Sequence, residues 1–297
     1  MAVVPADVPP AEARAASTRL GFVARYRQSS FGVIGVVMFA VILLVAVFAP
    51  VFTPYGPQTL TNVDLGRPFI AHHLLGTDTL GRDVFTDLLF GARASLAVGL
   101  IAGLIAGVVG VVVGAVAGYF GGWVDVVLSE LTNVFLMIPT FFLILIVVAL
   151  FGAGLFHEML VIGLTSWPAN ARLMRAQVLT LRDRTFVDGE RAIGKRGGAI
   201  LVQHVIPNGI QPLVANTTLL IAGAIITDAG LSFIGLGAPN LMSWGQMIYE
   251  GTQSFPVGWW LSIFPGIALT LTVMAFYFLG DGLGVALNPR LAPEGRG

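Results

Sequence analysis

Residues 189–195, GERAIGK, have the spacing of a phosphate-binding loop, in which two glycines five positions apart are followed by a lysine. Such a loop surrounds nucleotide phosphates with backbone amides and needs a Ser or Thr after the lysine to hold magnesium. That position is Arg196, and the preceding LRDRTFVD is too polar for the buried strand that aims the amides. The sequence therefore predicts that this chain binds neither ATP nor another cofactor of its own.

Metal ligands and catalytic groups are sparse in the rest of the chain. Three of its four histidines are His72, His73 and His157, and no carboxylate follows them at ligand spacing, so we predict no metal site. The chain has no Cys, and no Ser–His–Asp or paired-carboxylate arrangement stands out. The sequence predicts no catalytic residue and no enzyme activity for this chain alone.

Isolated charges in apolar surroundings are the remaining candidates. Asp228 lies in or near the end of a long apolar run, where it would line a translocation pathway or its gate, or cap a helix break before Gly230. Asp78, Arg82 and Asp83, in GTDTLGRD, would form either a salt-bridged platform that contacts an external partner or a self-satisfied turn.

The elements that carry these residues are membrane helices. Apolar residues make up 56% of the chain and charged residues 11%, against roughly 25% charged in an average soluble domain. A membrane-spanning helix needs about 20 apolar residues. Runs of that kind cover 31–52, 94–120, 131–155, 205–227 and 255–279, and a shorter sixth run, 159–171, contains Pro168.

Charge placement supports the sixth run. Lys and Arg accumulate in short cytoplasmic loops. Seven of the sixteen lie within 172–196, namely Arg172, Arg175, Arg182, Arg184, Arg191, Lys195 and Arg196. Six spans place this cluster and both termini in the cytoplasm. The predicted all-α organisation is a cytoplasmic tail (1–30), a first transmembrane helix (31–53), an extracytoplasmic segment (54–93), a five-helix core (94–290) with a cytoplasmic loop at 183–207, and a cytoplasmic tail (291–297).

Finer features of the helices follow from glycine and proline. A short amphipathic helix is predicted over 82–90. Pro139 and Pro168 are expected to bend the third and fourth spans. Glycines every three or four residues along the second span indicate a tightly packed helix or a moving interface. These glycines are Gly99, Gly103, Gly107, Gly110, Gly114 and Gly118.

The segment TFVDGERAIGKRGGAILVQHVIPNGIQPL resembles the cytoplasmic loop of ABC importer permeases. There, a Glu-Ala-Ala triplet precedes a Gly and, further on, a hydrophobic residue and Pro. The matching positions here are 188–190 (Asp-Gly-Glu), Gly194, Ile206 and Pro207. LLGTDTLGRDVFTDLLFGARASLAVGL, GYFGGWVD, ITDAGLSFIGLG, SWGQMI and LGDGL with NPR are similar to the C-type permease subunit of dipeptide and oligopeptide importers.

This resemblance implies a type I ABC importer fold in a bacterial inner membrane. It implies as partners a second homologous permease, two cytoplasmic ATPases that bind ATP and magnesium, and an extracytoplasmic substrate-binding protein. It implies peptides as substrates, with nickel complexes or glutathione as alternatives within the same family. No basic run is interleaved with exposed aromatics, so nucleic acid is not an expected partner.

The resemblance also assigns the 183–207 loop to coupling with the ATPases. Gly194 would allow a sharp turn between two short helices, and Ile193, Ala199, Ile200, Leu201 and Val202 would give one helix an apolar side that enters a groove. The alternative is that the charges only set topology, and the Gly and Pro spacing favours docking. An ATP-independent secondary transporter or channel is the competing class. The predicted coupling residues are Asp188, Gly189, Glu190, Arg191, Ala192, Gly194, Lys195, Arg196, His204, Ile206 and Pro207.

Overall fold

The computed structural model describes residues 21–70, 72–152, 154–238 and 241–287. The predicted C-terminal tail and most of the predicted N-terminal tail lie outside these ranges. The described residues form α-helices and three isolated β-bridges, with no β-strand among them. The all-α prediction is confirmed.

The helices are numbered here in chain order. They are α1 (Phe22–Tyr26), α2 (Ser30–Val47), α3 (Ala49–Phe52), α4 (Val84–Phe120), α5 (Gly122–Met137), α6 (Thr140–Phe151), α7 (Leu155–Ser166), α8 (Pro168–Leu181), α9 (Thr185–Ala192), α10 (Gly197–Ile200), α11 (Ile206–Gly209), α12 (Gln211–Phe233), α13 (Trp244–Thr252) and α14 (Trp260–Leu287), with a π-helical turn (Leu201–Val205) between α10 and α11.

Among the described residues, α2, α4, α12 and α14 are long and apolar enough to cross a membrane, and the bent pair α5–α6 makes a fifth span if counted as one. The predicted span 159–171 falls across α7 and α8, which meet at Trp167 and Pro168. That sixth crossing, and the side of the membrane on which the termini lie, stay predictions.

The bend predicted at Pro139 is confirmed, since the axes of α5 and α6 differ by 84°. Proline lacks the amide hydrogen that would continue the helix, and it disfavours the helical conformation in the residue before it. Ile138 accordingly has an extended backbone, with φ −84° and ψ 124°.

Helix α4 is the central element of the bundle. The separate amphipathic helix predicted over 82–90 is wrong, because Asp83 caps a helix that continues through Gly91 to Phe120. The Asp83 carboxylate accepts a hydrogen bond from the Thr86 amide at 2.8 Å. The 37 residues extend about 55 Å at 1.5 Å per residue. Helix α4 therefore connects the 53–83 segment at one end of the molecule with the 183–207 loop at the other.

The glycine face of α4 is a close-packing surface. A methyl group added at Gly103 would overlap Ile221 of α12, and one added at Gly114 would overlap the Ala171 carbonyl of α8. In lipid, helices associate through such close approach rather than through the hydrophobic effect. The packing interpretation of the glycines is therefore the one the structure supports, and α8 and α12 both lie against α4.

Helix α2 packs along α14 by the same kind of contact, with Gly32 against Gly282. At this crossing the Ser29 hydroxyl donates to the Asp281 carboxylate at 2.9 Å.

Candidate functional site

The 183–207 loop has two arms joined by a tight turn. Helix α9 forms the first arm, and α10 with the π-helical turn forms the second. Gly194 lies between them with φ +80°, a conformation that L-residues with a side chain rarely adopt. The prediction of two short helices separated by a turn at Gly194 is confirmed.

The second arm leads into the membrane through a widened helical turn. In the π-helical turn the Ile206 amide donates to the Leu201 carbonyl. Pro207 follows and has no amide hydrogen to donate. The Asn208 side chain donates to the His204 carbonyl at 2.6 Å. Proline therefore shapes the route from the loop into α12, consistent with its place in the sequence pattern.

The loop is anchored on the bundle by its own apolar side chains. Val187 of α9 is buried in a cluster with Ile200, Leu201 and Val205. The prediction that Ile200 and Leu201 enter a partner's groove is therefore wrong, because the chain buries them itself. The large apolar residues that remain exposed on the loop are Ile193, 78% exposed, Val202, 63% exposed, and Phe186.

Three charged or polar side chains meet across the turn. Lys195 Nζ lies 2.8 Å from His204 Nε2 and 3.1 Å from Glu190 Oε2. Glu190 Oε1 lies 3.3 Å from the same imidazole nitrogen. Because an ammonium group can only donate, His204 Nε2 accepts from Lys195. We call Glu190, Lys195 and His204 the turn cluster.

A second ion pair on the loop lies within one arm. Arg191 Nη1 is 3.0 Å from Asp188 Oδ1, one helical turn away on α9, and both side chains are exposed. The turn cluster also explains the near match to a phosphate-binding loop. The lysine that would contact phosphates there is engaged with Glu190 and His204.

Two basic residues before the loop, one in α8 and one just after it, bond to neighbouring helices. Arg175 makes two hydrogen bonds to Asp125 of α5, at 2.6 and 2.7 Å. Arg182 donates to the Gly118 carbonyl at 2.9 Å, at the C-terminal end of α4. Free carbonyls at a helix C-terminus attract such cations. These two arginines therefore have structural partners in addition to the topological role predicted for the basic cluster.

A buried amide network joins the helices on either side of the loop. Asn170 of α8 is fully buried and donates to the Thr217 hydroxyl of α12 at 3.1 Å. Its carbonyl oxygen accepts from Asn216 at 2.7 Å. This link was not predicted. Asn170 is a polar residue inside the predicted span 159–171, on the same helix face as Met174 four residues on, and that is the signal that could have indicated it.

Asp228 is buried inside α12, near the end of the molecule opposite the loop. The helix continues past Gly230 to Phe233, so the proposed cap at a helix break is wrong. The neighbouring acid of Asp228 is Glu158, on α7. Both residues are almost fully buried, and one oxygen of each has no hydrogen-bond partner among the described residues.

Glu158 was missed because it immediately precedes the predicted span 159–171. It shares a helix face with Ile162, four residues on, as Asp228 shares one with Leu231. Ile162 and Leu231 belong to one buried apolar cluster with Val98 of α4. The helical spacing of apolar residues in the span 159–171, continued one turn towards the N-terminus, would have placed Glu158 inside the bundle.

The predicted platform residues Asp78, Arg82 and Asp83 are buried and satisfied within the chain. Asp78 accepts from the Arg82 side chain at 2.5 Å, and Arg82 also pairs with Glu250 of α13. Asp83 lies 2.7 Å from His73 Nδ1. Asp78 and Arg82 pair within the turn, while Glu250 and His73 supply partners from outside it. A contact with an external protein stays a prediction.

Electrostatics at Arg82 favour its charged form. Burial alone would lower the pKa of this guanidinium, but hydrogen bonds and charge from Asp78 and Glu250 outweigh burial and raise its pKa above the usual value. The cation and the two acids therefore depend on each other. Together they fasten the 53–83 segment to α13.

The comparisons with known proteins fit a helical bundle with a two-armed loop at one end. The profile of the family described as "Binding-protein-dependent transport system inner membrane component" matches residues 110–293, and that of the "N-terminal TM domain of oligopeptide transport permease C" matches 21–71. The first profile covers more than half of the chain. The chain therefore belongs to the family of inner membrane components of binding-protein-dependent transport systems.

Curated relatives are similar over nearly their whole length. A dipeptide transport system permease protein, DppC, of Alkalihalophilus pseudofirmus is 34% identical over 267 residues, which is 89% of this chain and 88% of that protein. A glutathione transport system permease protein, GsiD, of Shigella flexneri is 37% identical over 269 residues, 90% of this chain and 89% of that protein. These matches and the apolar helices identify a multi-pass permease of the ABC importer type in a bacterial inner membrane.

A solved structure shares the fold. The inward-facing methionine ABC transporter MetNI contains a chain that aligns with a TM-score of 0.55 and 20% identity, covering 68% of this chain and 96% of that one. The likeness supports the predicted ABC importer architecture of the helical core.

Proposed function

We propose that this chain is the permease subunit of an ATP-driven importer of dipeptides or oligopeptides and forms half of the translocation pathway. A second, homologous permease would form the other half. Two cytoplasmic ATPases would bind ATP and magnesium, and an extracytoplasmic binding protein would deliver the substrate. The family and its peptide-permease relatives support this assembly.

The observation that carries the proposal is the construction of the 183–207 loop. Its turn at Gly194 exposes Ile193 and Val202, two apolar side chains that a groove on a soluble partner would cover. Its arms continue directly into α8 and α12, which are joined by the Asn170 network. A push on the loop would therefore move these two helices as one body, as rigid-element coupling requires.

Asp228 is the proposed gate residue in this mechanism. Its contact with Glu158 joins α12 to α7 at the end opposite the loop. Both carboxyl groups are buried, so a pathway at this point would be closed in this conformation. Movement of α12 during transport would separate the pair and expose both groups to water in the pathway, where ionisable groups within membranes are usually found.

The substrate class rests on the relatives. Both a dipeptide and a glutathione permease are about equally similar to this chain. Glutathione is itself a small peptide, so a peptide is the chemistry common to both. Competition of a radiolabelled dipeptide by unlabelled di-, tri- and oligopeptides and by glutathione, with the cognate binding protein present, would identify the preferred length.

The coupling role is tested by Gly194→Val. At φ +80° a β-branched side chain is strained, so the turn should open and the exposed apolar pair should lose its arrangement. We expect the ATPases to co-purify with the variant at least about fivefold less in mild detergent, since a strained turn costs roughly 1–3 kcal/mol. Peptide uptake should fall in parallel.

Gly198→Val is the matched control. Gly198 lies in the same loop, inside α10, and a side chain there meets nothing within 4 Å. Replacing a helical glycine does not strain the turn, so association and uptake should stay near the wild-type level. Normal assembly and uptake in Gly194→Val would contradict the coupling role.

An ATP-independent secondary transporter is the second candidate, and the Glu158–Asp228 contact is the observation that favours it. Such a transporter uses ionisable groups within the membrane as a relay. Uptake into cells depleted of ATP, with the ion gradient maintained, separates the two. Uptake that survives depletion, from a chain that retains no ATPase on purification, would support the secondary transporter.

A further inference from the structure

The two arms of the 183–207 loop keep a constant angle to each other only if contacts fix them at two separate points. Packing supplies the first, where Val187, at the beginning of α9, is buried against Ile200 and Leu201. Near the turn the loop is loosely packed, since Ile193 is exposed and a side chain added at Gly194 would meet nothing within 4 Å. With Val187 alone, α9 could pivot, because one contact does not define an orientation.

The turn cluster is the second fixed point. Glu190 belongs to the last turn of α9, and His204 belongs to the π-helical turn of the other arm. Lys195, just after Gly194, contacts both, at 3.1 and 2.8 Å. All three side chains are only partly exposed, so water screens these contacts less than it screens a surface pair.

The acid in this cluster departs from the sequence pattern that the loop resembles. Glu190 is the third position of the Glu-Ala-Ala pattern, and an alanine there could not reach Lys195. The departure of this triplet from the pattern therefore adds a bridge across the turn.

We propose that Lys195 is a positioning residue for coupling. Held between Glu190 and His204, it fixes the angle between α9 and the route into α12, so that displacement of a docked ATPase moves α12 instead of being lost by pivoting at Gly194. This inference rests on the proposed function and specifies how the loop transmits movement.

The test uses the complete transporter, reconstituted in liposomes with its binding protein, and measures peptide uptake and ATP hydrolysis in the same vesicles. For Lys195→Met we expect the ATPases to remain bound and the KM for ATP to be unchanged. The number of peptides moved per ATP hydrolysed should fall about threefold, the size expected for loss of a partly buried ion pair.

Two further variants separate positioning from general damage. Arg184→Met removes an exposed cation from the same loop, but Arg184 precedes α9 and lies away from the turn, so the ratio of uptake to hydrolysis should not change. The double variant Glu190→Lys with Lys195→Glu restores a pair across the turn with reversed charge. It should recover most of the ratio lost in Lys195→Met.

The outcomes distinguish this proposal from the proposed function. An unchanged ratio in Lys195→Met overturns the positioning role, and so does loss of bound ATPase, which would make Lys195 a docking residue. Both results leave coupling through Gly194 intact. If the wild-type complex transports peptide without hydrolysing ATP, the proposed function itself fails.

Discussion

The two ends of this molecule are both held by ion pairs, but at very different burial. In the 53–83 segment, the side chains of Arg82 and Asp78 are 10% and 11% exposed. In the 183–207 loop, those of Arg191 and Asp188 are 46% and 63% exposed, and Lys195 and Glu190 are intermediate at 28% and 23%. Buried charges depend on their partners, whereas exposed charges are solvated by water when unpaired.

This difference indicates what each end is built for. The 53–83 segment is fastened to α13 through Arg82 and Glu250 and behaves as a fixed part of the bundle. The 183–207 loop instead carries the solvent-accessible pair Asp188–Arg191, which the proposed docking of a partner could reach. The same residue types thus form a buried, fixed pair at one end and a solvated pair at the other.

The largest effect on stability should come from Arg82→Met. The change keeps most of the side-chain volume but leaves Asp78 and Glu250 without their cation, and breaking a buried pair in this way costs about 3 kcal/mol or more. We expect a clear drop in the unfolding temperature of the detergent-solubilised protein. Arg67→Met, at an exposed arginine of the same segment, is the control. Equal unfolding temperatures for the two variants would show that burial does not distinguish these arginines.

A smaller effect, a gain in stability, is expected from a substitution at Glu158. Here two buried carboxyl groups meet, and one oxygen of each lacks a partner among the described residues. Glu158→Gln keeps the shape and supplies an amide that can donate to Asp228. We expect a gain of about 1 kcal/mol, measured as a higher unfolding temperature, and slower peptide uptake because the α7–α12 contact opens less readily.

Glu130→Gln is the matched control for this variant, because Glu130 is an exposed acid on α5. It should change neither stability nor uptake. A destabilised Glu158→Gln would mean that the acid pair is favourable as it stands, and the gate assigned to Asp228 would lose its physical basis.

The sequence predicted best what local chemistry determines. The turn at Gly194 follows from a backbone conformation that favours glycine, and the bend at Pro139 follows from a missing amide hydrogen. Long apolar runs likewise identified the main membrane helices. The boundary near residue 82 was wrong because hydropathy does not show that the Asp83 cap begins one continuous helix.

Contacts between distant parts of the chain could not be predicted in this way. Glu158 meets Asp228, and Arg82 meets Glu250, only because the bundle brings separate helices together. Apolar character alone also could not distinguish Ile200, which is buried, from Val202, which is exposed, since both lie on the same arm. A single sequence shows that a residue is apolar or charged, and the packing decides what it touches.

The smallest effect is expected for the exposed pair Asp188–Arg191. A double-mutant cycle with Asp188→Asn and Arg191→Met should give a coupling energy of about 0.5 kcal/mol or less, because exposed pairs three or four residues apart on a helix contribute little. The same cycle with Asp78→Asn and Arg82→Met should give about 2 kcal/mol or more. Added salt should abolish the first coupling and leave most of the second, since screening acts mainly on solvated charges. If the two cycles gave equal energies, the difference in burial would not distinguish the fixed pair at one end from the solvated pair at the other.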